Sequence, residues 1–144
     1  MEYRVFDKKV YVRLDRGDEI VSSLLSVCER EDIRVAQVQG IGGCCEATVG
    51  VFDGESRTYR EKKVTALLEL LSLDGNVTEY EDKPYLHVHA AFAYREGDAF
   101  CQLTGHLLNA VIGLTGEIVL TPAQGRITRR YDEELGIRVW SFKD

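Results

Sequence analysis

The sequence contains little that would direct it out of a cell or into a membrane. Met1 to Lys9 mixes Glu2, Arg4, Asp7, Lys8 and Lys9 among apolar residues, leaving no uninterrupted apolar core of the signal-peptide kind. No apolar run approaches the roughly 18 residues of a membrane span, because Gly, Glu or His interrupts the longest ones. Four cysteines, Cys28, Cys44, Cys45 and Cys101, form no Cys-x-x-Cys pair and are too sparse for a secreted disulfide scaffold. These absences predict a soluble, cytoplasmic protein with reduced thiols. Cys44 and Cys45 are adjacent, so on a strand they point to opposite faces, and packing is the expected role of the free cysteines.

Positive charge is also scarce. Eighteen Lys and Arg against 24 Asp and Glu give a formal net charge of −6, which argues against a broad nucleic-acid surface. The densest basic cluster, Arg126, Arg129 and Arg130, runs directly into Asp132, Glu133 and Glu134 and reads as a solvated charged turn. There are only two prolines, Pro84 and Pro122, with no repeat, low-complexity tract or Pro/Ser linker. At 144 residues and 44% hydrophobic, the chain can bury one core, so a single domain over residues 1–144 is expected.

The apolar pattern predicts an α+β domain with a largely antiparallel sheet and one packed helix. Val5 to Leu14 reads as a first strand closed by Asp15-Arg16-Gly17. Asp18 is the expected N-cap of a helix whose stripe is Val21, Leu24, Leu25 and Cys28. Strands are expected at 35–39 and 47–52 on either side of Gly40-Ile41-Gly42-Gly43. That stretch lacks the Lys and Ser/Thr of a phosphate loop and predicts a bend or bulge. Val64 to Leu73 predicts a central strand, and further strands are expected at 85–94, 99–103, 118–120 and 137–142.

All three histidines fall within twenty residues, as His87-Val88-His89 and Gly105-His106. His87 and His89 are two apart and share a strand face. If Glu96-Gly97 is a two-residue turn, Arg95 opposes Asp98, His87 faces His106, and His89 lies diagonal to it. Val88, Ala90, Phe92 and Tyr94 then form the core face. Three imidazoles on one face predict a metal site of His87, His89 and His106, with zinc first and another divalent transition metal second. Glu69 is a possible accessory residue, since a carboxylate inside an apolar strand needs a metal, a His or an Arg, or else an edge position in solvent. Glu117 raises the same alternatives.

Several segments resemble the plants-and-prokaryotes-conserved (PPC) domain. Leu67-Leu68-Glu69-Leu70-Leu71-Ser72-Leu73-Asp74-Gly75 is similar to its central Glu-Ile-Leu-Ser-Leu-x-Gly segment. Pro84-Tyr85-Leu86-His87-Val88-His89 and Gly105-His106-Leu107 resemble the histidine segments of prokaryotic members. Arg16-Gly17-Asp18-Glu19, Ile41-Gly42 and Tyr131-Asp132-Glu133-Glu134-Leu135-Gly136 follow in family order. The resemblance implies a PPC-like fold, a homotrimer, and histidines suited to a zinc-type site. Single-domain members are often labelled DNA-binding by analogy with plant proteins that add an AT-hook. This chain has no hook, and Ala66, Leu67 and Leu68 replace the plant Gly-Arg-Phe before Glu69.

Two function classes follow. A binding, assembly or regulatory module needs exposed apolar surface and a structural or sensory metal. A hydrolase or lyase needs an open metal position and a base, with bound water brought to a pKa of about 7. The first class is the expectation. No substrate or small-molecule ligand is identified by the sequence.

Overall fold

Alternation of apolar and polar residues forms the first elements of the computed structural model, which describes residues 1–142. The last two residues of the expected 1–144 domain lie outside the described part. Lys9–Leu14 (β2) buries Val10, Val12 and Leu14, and pairs antiparallel with Glu2–Phe6 (β1). The single strand expected over 5–14 is therefore a hairpin. Asp7 and Lys8 both take positive φ, 46° and 67°, as in a two-residue I′ loop, and neither is the Asn or Gly that usually announces one.

The body consists of four long strands, β3 (Ala36–Asp53), β4 (Thr58–Tyr80), β5 (Lys83–Glu96) and β6 (Ala99–Pro122). Their antiparallel pairings close a ring from β3 to β4, β5, β6 and back to β3, and β2 joins the outer edge of β6. Strands of 18 to 24 residues twist too far to stay in register. Register shifts at Gly40/Gly42, Cys44/Glu46, Thr48/Val49 and Leu70/Ser72 absorb the twist. The two strands expected around the glycine run are thus one bulged strand. Residues 99–103 and 118–120 likewise belong to one strand, β6.

The helix α1 (Ile20–Arg30) packs on β5 and β6 and buries Ile20, Leu24, Val27 and Cys28. Its N-cap is Glu19, not Asp18. The Glu19 carboxylate accepts from the N–H groups of Val21 and Ser22 at 2.9 and 2.7 Å, while Asp18 accepts from the N–H of Asp15. A C-terminal hairpin of β7 (Thr128–Asp132) and β8 (Ile137–Ser141) docks on β4 through a parallel bridge between Thr128 and Glu79. Only the second of these strands was expected. One core, including Leu24, Leu68, Leu73, Phe92, Ile112 and Leu120, fills the space between helix and sheet. The class is the expected α+β, antiparallel-rich, with one helix.

Because Lys8 sits at positive φ without need of its side chain, Lys8→Gly should stabilise the protein by about 0.5–1 kcal/mol. Urea unfolding measures it; a lower midpoint for the variant would contradict the loop geometry.

Candidate metal centre

Burial along β5 sets the direction of the histidines. Val88, Ala90, Phe92 and Tyr94 are all buried in the core, so His87 and His89 project from the opposite face. The turn after β5 is Gly97-Asp98, with Glu96 opposite Ala99. Gly97 takes φ of 61° at the first central position, the place where a II′ loop favours glycine. The expected pairing is therefore displaced by two residues, so His89 faces His106 and His87 is the diagonal neighbour. A shift of two keeps every side chain on its face. The predicted convergence survives the change in partner.

One candidate ligand atom from each of His87, His89 and His106 lies within 4.8 Å of the others. Ring centroids are 5.0 Å apart for His87 and His106, 5.2 Å for His87 and His89, and 5.5 Å for His89 and His106. Modest ring rotations would bring such a cluster onto an ion held about 2.0–2.1 Å from each nitrogen. Nδ1 of His106 is buried with no hydrogen-bond partner, an orphaned atom whose lone pair a metal would engage when the ring proton sits on Nε2. Burial pushes the pKa of His87 down to about 4, helped by His106, Arg129 and His89; burial, His89 and Arg129 lower that of His106. Both rings are neutral near pH 7, as metal ligation requires. The residues present fit a transition-metal ion.

Two hairpins wall the cluster. From the β3–β4 hairpin, Tyr59 stacks on His106 with centroids 4.9 Å apart. It crosses Gly50, where a Cβ would come within 2.9 Å of the tyrosine ring, so the stack depends on that glycine. From the C-terminal hairpin, Arg129 donates to Thr78 Oγ1 (2.7 Å), Asn76 Oδ1 (2.9 Å) and the Arg138 carbonyl (3.0 Å), and lies 4.7 Å above the Tyr85 ring. Asn76 and Thr78 pair with His87 and Tyr85, which places Arg129 over the histidine face. The two hairpin tips meet where Arg57 donates to the carbonyl of Glu133.

Arg129 is thus a correction to the solvated turn expected of its cluster. It is 9% exposed, burial lowers its pKa, and Arg126 forms an ion pair with Glu79. Sequence reasoning missed Arg129 and Tyr59 because each lies in a short charged segment whose partners are remote in sequence. Glu69, the possible accessory carboxylate, takes the alternative position in solvent. Glu69 pairs with Ala93, four residues along β5 from His89 and so about 13 Å away, and it is exposed. Glu117 is also exposed, paired with Arg13 and Ile41. Burial pushes the thiols of Cys28 and Cys44 up to about 12, which suits packing.

Residues 1–124 match the model of the Plants and Prokaryotes Conserved (PCC) domain. The chain belongs to this family. Solved structures agree with the PCC assignment. A "putative DNA binding protein" from Bacteroides thetaiotaomicron is 30% identical, with a TM-score of 0.91 over 98% of this chain and 96% of that one. A metal-containing protein from Archaeoglobus fulgidus is 31% identical, with a TM-score of 0.83 over 97% and 96%. A Pyrococcus horikoshii PPC protein shares the fold at 23% identity, TM-score 0.84, over 99% and 96%. No curated protein matches the chain. The hairpin that supplies Arg129 follows the residues matched by the PCC model.

The metal-free protein should lose stability in acid through His87. Between its unfolded pKa of about 6.5 and its folded value of about 4, the unfolded chain is protonated and the folded one is not, so acid favours unfolding. The effect is absent above the unfolded value and complete below the folded one. The thermal midpoint of His87→Asn should therefore fall less between pH 7 and 4.5 than that of the wild type. Equal slopes would contradict the burial of His87.

Proposed function

We propose that this PCC-domain protein is a homotrimeric binding, assembly or regulatory module that holds one zinc-like divalent ion on His87, His89 and His106. The observation that carries the reading is the convergence of three imidazoles, one of which, His106, has a buried and unpartnered Nδ1. When bound, the ion supplies Lewis acidity and a coordination position beyond the three histidines. His89, the exposed member of the cluster, leaves one side open to solvent. That opening favours a hydrolase or lyase as the second reading. The metal-containing relative from Archaeoglobus fulgidus supports the metal; imidazole donors suit zinc first and another divalent transition metal second.

A second copy of the chain is the proposed cover for the open face of the sheet. Ile41, Leu71 and Leu114 are 55%, 56% and 57% exposed around one shallow groove, with Glu69 and Glu117 beside them. Apolar side chains grouped in this way mark an association surface. The two glutamates left unassigned by the histidine cluster would become polar members of the subunit boundary.

Direct duplex binding is not part of the proposal, although a related structure carries a DNA-binding description. The chain carries a formal charge of −6, Arg126 is paired with Glu79 and Asp82, and Arg129 is buried. Little of the basic cluster is left for phosphate. A partner would have to supply any contact with DNA.

Chelator-stripped protein should take up one zinc per chain by elemental analysis and calorimetry. His87→Ala or His106→Ala should weaken binding by more than about 100-fold, beyond what loss of an outer partner costs, and Glu69→Gln should leave it unchanged. No uptake by the wild type, or full affinity in His106→Ala, would refute the site. Light scattering at micromolar concentration should give a trimer mass, reduced to monomer by Leu71→Glu; a wild-type monomer would refute the assembly.

A further inference from the structure

Arg129 is a buried cation placed beside a site that attracts another cation. Its three hydrogen bonds go to neutral acceptors, and among the described residues no acid forms an ion pair with it. Those bonds occupy Nε and one N–H on each terminal nitrogen, so one N–H remains on each of the two. Arg138 adds a further positive group, lying 4.4 Å from the Tyr80 ring and 5.8 Å from the Tyr85 ring. A divalent ion on the histidines would raise the positive charge again, next to the aromatic walls of Tyr59 and Tyr85. Buried charge of one sign calls for a counter-charge.

We propose that the site binds a small organic carboxylate, its two oxygens taken by the remaining N–H groups of Arg129, beside the ion held by His87, His89 and His106. This rests on the metal reading above and names the ligand class for that site. Two donors in the plane of one guanidinium match the two oxygens of a carboxylate; the same fork takes two phosphate oxygens, but the aromatic walls of Tyr59 and Tyr85 favour an organic anion over a fully hydrated inorganic one. The position is fixed by the strands. Asn76, which accepts from Arg129, is the cross-strand partner of His87, so their Cβ atoms are about 4.5–5.5 Å apart. Arg129 is therefore a ligand-binding residue as well as the tie that holds the C-terminal hairpin to β4.

Calorimetry with zinc-loaded protein tests the proposal, using glycolate as probe, ethylene glycol as its uncharged counterpart and inorganic phosphate as competitor. Glycolate should bind the wild type at least about tenfold more tightly than ethylene glycol, as a charge-assisted pair requires. Arg129→Met should lose at least about tenfold in glycolate affinity while keeping its zinc, and Arg129→Lys should fall between the two. Equal glycolate affinity in wild type and Arg129→Met overturns the proposal. Phosphate displacing glycolate at the lower concentration overturns the ligand class. If Arg129→Met does not fold, the comparison of wild type with Arg129→Lys decides instead, and equal glycolate affinity in those two refutes the proposal. A wild type that takes up no zinc refutes the metal reading, and this proposal with it; zinc uptake without glycolate binding refutes the proposal only.

Discussion

Strand alternation in β5 is the constraint on which the site depends. Val88, Ala90, Phe92 and Tyr94 are held in the core, so the intervening residues have no choice but the other face. Displacing His87 and His89 to the inner face would expose four apolar side chains, including fully buried Phe92. At roughly 1.5–3 kcal/mol for each large side chain, that is a substantial part of a small domain's stability. Core packing thus orients the candidate ligands without any contribution from a metal. The β5–β6 pairing then brings His106 opposite His89.

What surrounds the histidines comes from distant parts of the chain. Tyr59 arrives on the β3–β4 hairpin and Arg129 on the C-terminal one, and each is locked by contacts on the outer face of the sheet. The ring of four strands gives both hairpins a common rim. Desolvation by these walls keeps His87 and His106 neutral, while the buried guanidinium makes the same space electropositive. An imidazole site with an adjacent fixed cation is suited to an ion that carries an anionic ligand.

Much of this was legible in the sequence where the signal is local. The two-residue spacing of His87 and His89 and the buried alternation through Tyr94 fixed the face, and the PPC-like segments ran in family order. The exact partner of His106 was not legible, because Glu96-Gly97 and Gly97-Asp98 are both acceptable turns and only the chosen glycine conformation decides between them. Twist-driven bulges hid the continuity of β3 and β6, since glycines read as breaks when the partner strands are unknown. Arg129 looked solvated among Arg130, Asp132 and Glu133; its burial depends on Asn76, Thr78 and Tyr85, some fifty residues earlier. Glu69 is a charge in an apolar run, but Leu67 and Leu71 beside it are exposed too, so the run lines an open face.

The central claim is that one ion sits where the three imidazoles meet. Crystals of zinc-loaded protein, measured on both sides of the zinc absorption edge, test it most directly. The account predicts one anomalous-difference peak per chain, bounded by ring nitrogens of His87, His89 and His106. A peak bound elsewhere, at Glu69 or Cys45 for example, or no peak between the histidines, would contradict it.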